Sequence, residues 1–482
     1  MWKTWKTVVG VFVAVVAVVT VLSPTFAYAE PVDRPKGIIL FIGDGMGKNQ
    51  VRSAALYSEK VLGKPLTMDS IPTRGTTTTH SASSEVTDSS AAATALYSGY
   101  KTNNGVINVL PDGRKVFTIG HAAKKAGLCV GILSTARLTD ATPAGVFGHS
   151  SDRSDENLIA LQLEDFGPDV AMAGGLKHFI PAGQRGSERK DDKDLVRSMK
   201  KAGYTYLTTG LDLKSVDPAT TPKLLGLFAL STMAYEVDRE RDPKLSSQPD
   251  LAEMTRVALS ILGRNPRGFF LMVEGGRIDH ACHVHDLKAS IYETLAFDKA
   301  VSVGLEYQKA RPDVLVLVTA DHETGGMSFG RGTDDAVNVA ALEPIRTSLE
   351  SISRKVEKHP ENLETILKDA GFKLTDGERT LLNRHAPNSK IEAIPELRDE
   401  KGAFPKFTHS WAEYALGVIE GDRANVGWRS FGHTAQPVIT YAVGPGAQEF
   451  AGEYDNTDIA KKMAKLLGFT LDPPVPGERT TH

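Results

Sequence analysis

The chain has 482 residues, of which 41% are hydrophobic and 24% charged, and its formal net charge is −3. These proportions are those of an ordinary globular protein, and they exclude a collagen-like repeat, a long coiled coil or a largely disordered chain. The near-neutral charge balance also provides no electrostatic attraction to nucleic acid.

The first element predicted along the chain is an export signal over residues 1–29. Two lysines precede an apolar stretch at residues 8–22, which is too short for a comfortable membrane span. Ala27-Tyr28-Ala29 then supplies a small–x–small cleavage pattern. We therefore expect cleavage that leaves no stable membrane span, and an exported protein that is periplasmic or secreted. An uncleaved N-terminal anchor is the alternative.

Residues 30–482 are predicted to form a single domain in which β-strands and α-helices alternate, as in βαβ units. Short apolar runs without alternation predict strands that are covered on both faces, which is typical of a parallel sheet. These runs are 37–42, 130–134, 269–273, 314–319 and 438–443. Helical patterns lie at 154–166, 191–202, 251–262, 285–309 and 457–467. The predicted fold class is α/β, a three-layer sandwich with a central, mostly parallel β-sheet flanked by helices.

A more polar segment at about 330–430 interrupts this alternation, with helical patterns at 361–370 and 410–420. We interpret it as an insertion, after which the chain returns to the sheet just beyond His433. Cys129 and Cys282 are the only two cysteines, so a disulfide framework does not hold the fold together. A single bridge between them remains open, although the apolar strand around Cys129 favours a buried free thiol.

Acidic and histidine side chains stand at the ends of four predicted strands. They are Asp44, Glu274, Asp279, His283, Asp321, His322 and His433. Asp279 and His283 are four residues apart, so one helical turn places both on the same face. Carboxylates that converge at one edge of a sheet repel each other unless cations neutralise them. Mixed Asp/His sets favour zinc and oxygen-only sets favour magnesium, so the pattern predicts a multi-metal hydrolase site.

A candidate nucleophile stands just before an alanine-rich helix. The run Ala91-Ala92-Ala93 favours a helix that begins at Ser89 or Ser90, with Gly99 as its stop. Free backbone N–H groups and the helix dipole stabilise an anion at this end, which would lower the pKa of a serine hydroxyl. A serine that merely caps the helix is the alternative.

Taken together, these motifs resemble the alkaline phosphatase family. The matching segments are GDGMG, TDSSAAATA, DATPA, VEGGRIDHACH, TADHE and GHT, in this order from Gly43 to Thr434. The resemblance implies a phosphomonoesterase of broad substrate range that works through a phosphoserine at a site with two Zn²⁺ and one Mg²⁺. It also implies a homodimer and a lid- or crown-like character for the insertion before the last metal ligand.

The resemblance further implies a role for each motif residue. Ser89 matches the nucleophile, and Arg153 matches the arginine that grips two phosphate oxygens. The implied ligands are Asp279, His283 and His433 for the first zinc, Asp44, Asp321 and His322 for the second, and Asp44, Thr142 and Glu274 for magnesium.

Asp140 and His280 stand at positions that vary within the family and tune the third metal site. His280 is a water-mediated phosphate contact, a ligand that converts the magnesium site to zinc or cobalt, or a residue that supports the ligands. The identity of the third metal is therefore open.

Two other functions are alternatives to a phosphomonoesterase. A phosphodiesterase or sulfatase of the same superfamily is the first, but Ser89-Ser90-Ala91 lacks the Cys/Ser-x-Pro-x-Arg context of sulfatases. Diesterases usually lack the magnesium set that Asp44, Thr142 and Glu274 provide. The second is a phosphate-binding protein without turnover, which would be unaffected by Ser89→Ala.

Overall fold

A computed structural model gives the fold and describes Trp2 and residues 34–330, 336–384 and 410–471. The predicted export signal and part of the predicted insertion lie outside the described residues. The architecture below belongs to the unit Asp33–His482. None of the helices among the described residues is both long enough and apolar enough to span a membrane.

The centre of this unit is a ten-stranded sheet with the strand order β14-β2-β13-β8-β1-β7-β3-β4-β6-β5. Two short antiparallel pairs, β9 with β12 and β10 with β11, lie outside it. The strands are β1 Gly37–Gly43, β2 Thr73–Thr78, β3 Cys129–Arg137, β4 Val170–Gly174, β5 Thr205–Leu207, β6 Leu224–Leu227, β7 Phe269–Gly275, β8 Val314–Ala320, β9 Glu323–Thr324, β10 Ser328–Phe329, β11 Val426–Gly427, β12 His433–Thr434, β13 Val438–Val443 and β14 Gly452–Asp455.

Helices cover both faces of the sheet, so the predicted α/β sandwich with a mostly parallel sheet is confirmed. Ile39 and Phe41 of β1 belong to the core formed with α9 and α11, and the intervening Ile38 and Leu40 are equally buried on the opposite face. The helices are α1 Lys48–Tyr57, α2 Ser89–Ser98, α3 Ile119–Lys125, α4 Ala141–Ala144, α5 Glu156–Phe166, α6 Leu195–Lys201, α7 Gly210–Lys214, α8 Glu236–Arg239, α9 Leu251–Leu262, α10 Arg277–His283, α11 Leu287–Ala310, α12 Leu349–Lys358, α13 Leu363–Asp369, α14 Asp376–Arg384, α15 Trp411–Ala424 and α16 Thr457–Leu467.

The strand β13 corrects one expectation. Its apolar run predicts a parallel strand like the others, but it runs antiparallel to both of its neighbours, β8 and β2. The chain leaves β8 and returns to β13 at the same edge of the sheet, so β13 has to run in the opposite direction. His433, just before β13, consequently lies at the edge where the parallel strands end.

The segment predicted as an insertion shares a second hydrophobic core with the main body. Leu349 and Ile352 of α12 pack with Leu416 and Ile419 of α15, and the same cluster includes Leu287 of α11. Both cysteines are free thiols; Cys282 is buried, whereas Cys129 is only half-buried, contrary to the expected full burial. The thiol of Cys129 stands at the first residue of β3, where cover by neighbouring elements is incomplete.

Candidate active site

The sheet register brings three of the predicted ligand-bearing turns together. Gly43, the last residue of β1, pairs with Gly275 of β7 on one side and with Ala320 of β8 on the other. Asp44 and Asp321 directly follow two of these positions, and Glu274 directly precedes the third. Three carboxylates from distant parts of the sequence therefore lie at one edge of the sheet.

Asp279, His283 and His433 form the first group of potential ligands. His283 Nε2 lies 3.2 Å from Asp279 Oδ2 and 3.2 Å from His433 Nε2. The other ring nitrogens, His283 Nδ1 and His433 Nδ1, lie 2.5 Å and 2.9 Å from the backbone oxygens of Phe431 and Thr87. A carbonyl only accepts, so each Nδ1 carries a proton, and Nε2 is the ring nitrogen that lies toward Asp279 in both residues.

Two imidazole nitrogens and a carboxylate that converge in this way suit a cation, and an Asp/His set of three is typical of zinc. Burial lowers the pKa of His433 to about 3, so its ring is neutral at physiological pH. The residues of the first group therefore fit a Zn²⁺ ion.

Asp44, Asp321 and His322 form the second group. His322 Nε2 lies 3.1 Å from Asp321 Oδ2 and 3.6 Å from Asp44 Oδ1. Both carboxylate oxygens are buried and lack a hydrogen-bond partner among the described residues. Burial and the neighbouring Asp321 carboxylate raise the pKa of Asp44 well above its usual range. Such a set needs a positive charge, and its chemistry also fits zinc.

Glu274 and Thr142 lie beside the second group and add only oxygen atoms. Burial raises the pKa of Glu274 to about 8, and its Oε2 accepts a hydrogen bond from the Ser134 hydroxyl. Thr142 Oγ1 is buried and has no hydrogen-bond partner within the described ranges. Together with Asp44 these oxygens fit the preference of Mg²⁺ for hard oxygen ligands.

Ser89 is the first residue of α2, and its hydroxyl points toward the second group. Ser89 Oγ lies 3.2 Å from His322 Nε2. Ser90 instead donates to Asp88 Oδ2 at 2.6 Å, and Asp88 caps the helix by accepting from Ala91 N. The two hydroxyls therefore have different partners, and Ser89, which the resemblance matches to the nucleophile, is the one that contacts the second group. As expected, α2 ends at Gly99, which has a positive φ of 76°.

Arg153 lies at the same cleft between two carboxylates. Its Nη1 is 3.2 Å from Asp88 Oδ2, and its Nη2 is 3.2 Å from Asp140 Oδ1. Asp140 also pairs with Arg137 at 2.8 Å. Burial acts to raise the pKa of Asp140, but the two guanidinium groups hold it well below its usual range. Asp140 therefore orients Arg153 as an ionised carboxylate.

His280 makes a contact that bears on its open role. Arg277 Nη1 lies 2.9 Å from His280 Nδ1. A guanidinium only donates, so Nδ1 accepts and the proton of this neutral ring sits on Nε2. Burial lowers the pKa of His280 to about 4, in keeping with the neutral form. An Nε2–H group is a hydrogen-bond donor, which favours a phosphate-side or supporting role over metal ligation.

Sequence reasoning missed Thr324 and Arg277. Thr324 donates to Asp279 Oδ1 at 2.5 Å, and the pairing of β9 with β12 places it opposite His433. It immediately follows the Thr319–Glu323 motif, so closer attention to that turn would have found it. Arg277 lies inside the VEGGRIDHACH motif, but nothing in its sequence context distinguishes it from a surface arginine.

The chain is similar to known proteins along most of its length. The family model described as alkaline phosphatase matches residues 35–469. Alkaline phosphatase 3 of Bacillus subtilis is 32% identical over 462 residues, which cover 91% of this chain and 90% of that protein. The crystal structure of Thermus thermophilus alkaline phosphatase has a TM-score of 0.80 and 32% identity, covering 92% of this chain and 94% of the other. A cold-active alkaline phosphatase from Shewanella sp. has a TM-score of 0.75 and 31% identity, covering 89% and 99%.

Proposed function

The chain belongs to the alkaline phosphatase family and is a phosphoric monoester hydrolase, and from this premise we propose that Ser89 is its nucleophile and forms a phosphoserine intermediate. The observation that carries the proposal is the position of Ser89 Oγ, 3.2 Å from His322 Nε2 at the start of α2. The backbone N–H groups at this end of the helix favour negative charge on the hydroxyl and on a phosphoryl group.

The proposed mechanism assigns the two Asp/His groups to two Zn²⁺ ions, and Asp44, Thr142 and Glu274 to Mg²⁺. When bound, these ions supply positive charge to the phosphate, the nucleophile and the leaving oxygen. The backbone oxygens of Thr87 and Phe431 keep His433 and His283 in the tautomer that a ligand requires.

Arg153 is the proposed phosphate clamp. Its two terminal nitrogens are already oriented by Asp88 and Asp140, and a guanidinium can contact two phosphate oxygens at once. Transfer of the phosphoryl group to Ser89 Oγ releases the alcohol with a proton, and water then displaces Ser89 from phosphorus to give phosphate. The leaving group need not be recognised for this chemistry, so a broad range of monoesters follows.

Two wider features stand as predictions alongside the mechanism. The N-terminal pattern over residues 1–29 supports export to the periplasm or the medium, with phosphate monoesters as the substrates met there. Assembly as a homodimer is inferred from the family resemblance alone.

The proposal is tested with Ser89→Ala. We expect turnover of a monoester to fall by at least about 1,000-fold, because the covalent route is lost while the charges of the site remain. Phosphoenzyme should be absent by intact mass or by labelling with radioactive phosphate, and the bound metal content should be unchanged. Ser90→Ala is the matched control and should still form phosphoenzyme. A labelled serine or undiminished turnover in Ser89→Ala would refute the role of Ser89.

A further inference from the structure

The cleft that contains Ser89 continues well beyond the potential metal ligands. Its volume is about 570 Å³, far more than a phosphate group requires. The additional wall comprises Tyr235 before α8, Arg277 at the start of α10, and Glu350 and Arg354 of α12. When the phosphate is held at Ser89, this part of the cleft is available to the alcohol portion of the substrate.

Arg277, Glu350 and Arg354 form a connected set of charges, which we call the outer charge set. Arg277 Nη2 donates to Glu350 Oε2 at 2.7 Å, and Arg354 Nη2 lies 2.5 Å from Glu350 Oε1. One carboxylate thus faces two guanidinium groups that never lose their protons at physiological pH. Burial acts to raise the pKa of Glu350, but Arg277 holds it below its usual range, so the set carries a net charge of +1.

The two arginines of the outer charge set differ in mobility. Arg277 is held in place because its guanidinium lies 3.6 Å from the Tyr235 ring centre and also donates to His280. The side chain of Arg354 is 72% exposed. Arg354 can therefore turn toward a ligand while Arg277 keeps Glu350 in position.

The helix that carries Arg354 is anchored to the main body. Ser348 N and Leu349 N, at the start of α12, donate to Asp238 Oδ1 at 2.9 Å and to Asp286 Oδ2 at 2.7 Å. Both aspartates are buried and belong to elements outside the insertion. The helix that contributes two of the three residues of the outer charge set is consequently anchored to the main body.

Other charges along the cleft do not offset Arg354. Arg137 is engaged by Asp140 and Glu156, each at 2.8 Å, so it adds no available cation. Glu413 of α15 also lines the cleft, but it is only 1% exposed. Arg354 is therefore the charged group that the outer cleft presents most openly to a ligand.

We propose that Arg354, carried by the anchored helix α12, forms a subsite for an anionic group on the leaving alcohol. The preferred substrates are then phosphate monoesters that carry a carboxylate or a second phosphate beyond the ester oxygen. This inference rests on the proposed function, since it takes the phosphoryl group to be bound at Ser89.

The test compares two esters that differ only in this anionic group. They are 3-phosphoglycerate and glycerol 3-phosphate. The first has a carboxylate where the second has a CH₂OH group. Both are assayed with the metal-loaded mature enzyme. Arg354→Ala should lower the ratio of kcat/KM for the first ester over that for the second by about three- to fivefold. The change should come from a higher KM for the first ester, and it should be of this modest size because the charge contact is exposed to solvent. Arg354→Lys should restore most of the ratio, because it keeps the charge.

Two further variants test whether the effect is specific to Arg354. Glu350→Gln should raise the ratio, because it removes the carboxylate that competes for Arg354. Lys355→Ala removes an exposed charge from the same helix that does not line the cleft, and it should keep the wild-type ratio. An unchanged ratio in Arg354→Ala, or an equal fall in Lys355→Ala, would overturn the subsite. Turnover by Ser89→Ala would count against the proposed mechanism instead, and the ratio would still report on Arg354.

Discussion

At the scale of single residues, the hydrogen-bond partners of the site histidines determine which ring nitrogen carries a proton. Phe431 O and Thr87 O accept from His283 and His433, while the Arg277 guanidinium donates to His280. The Nε2 atoms of the first two rings lie toward Asp279, whereas Nε2 of the third ring carries the proton. Two of the three histidines are thus potential metal ligands and the third is a potential hydrogen-bond donor. The partners that cause this difference are not visible in the sequence motifs.

Glu293, which lies outside the candidate site, shows how burial changes the pKa of a carboxyl group. Burial raises its pKa to about 8 from the usual 4.5, and its Oε1 accepts from Glu236 N at 2.6 Å. Between these two pH values only the folded chain keeps the proton. The free energy of unfolding should therefore fall as the pH rises through this window, by at most about 1.4 kcal/mol per pH unit from this residue.

Glu293→Gln should flatten that slope, because the amide keeps the acceptor oxygen without a titratable proton. Above pH 8 the variant should be more stable than the wild type by about 2 kcal/mol. Denaturant unfolding at pH 5 to 9 measures the effect. Glu306→Gln, at an exposed position of α11, is the matched control. A slope that is identical in both variants would contradict the assigned burial effect.

At the scale of elements, local sequence predicted several helices and strands with close bounds and missed others of both kinds, among them the helices α1 and α12. The predicted bounds 251–262 and 457–467 agree with α9 and α16, and 285–309 is within two residues of α11. The strands β2, β4 and β6 were missed, because β2 is rich in threonine and the other two are short. Their strand conformation depends on pairing with neighbours that lie far away in the sequence.

Gly268, the residue before β7, makes the start of that strand sensitive to substitution. It has a φ of +103°, and an added Cβ would collide with the backbone oxygen of Lys36. Gly63 has a similar φ of +69° but open space around it. Gly268→Ala should cost more than about 3 kcal/mol of unfolding free energy, and Gly63→Ala about 1 kcal/mol. Denaturation midpoints test this, and equal losses would show that the collision is relieved by local movement.

At the scale of the whole molecule, the sheet brings together carboxylates that would repel each other without cations. Asp44 and Asp321 are both buried at the same edge, and Asp279 and Glu274 are close to them. Any cation that binds only the folded chain stabilises it, by about 4 kcal/mol for an ion present at a thousandfold its dissociation constant. The site and the fold are therefore expected to be energetically linked.

Removal of divalent ions should reveal this linkage. Dialysis against a chelator is expected to abolish phosphatase activity and to lower the melting temperature by several degrees, and addition of Zn²⁺ and Mg²⁺ should restore both. The same chelator saturated with Zn²⁺ is the control. A melting temperature that does not respond to chelation would contradict the assignment of the Asp/His groups as metal sites.

The sequence by itself determined the family and the α/β fold class and supplied the candidate site residues, because these depend on short motifs and on local patterns of apolar residues. The family and the fold class are confirmed, while the roles of Ser89, Arg153 and the predicted ligands stay predictions. Only the tertiary structure decided that β13 is antiparallel, that Ser89 rather than Ser90 contacts His322, and that α12 brings Arg354 to the cleft. These features depend on contacts between residues that are tens to hundreds of positions apart, which no local pattern encodes.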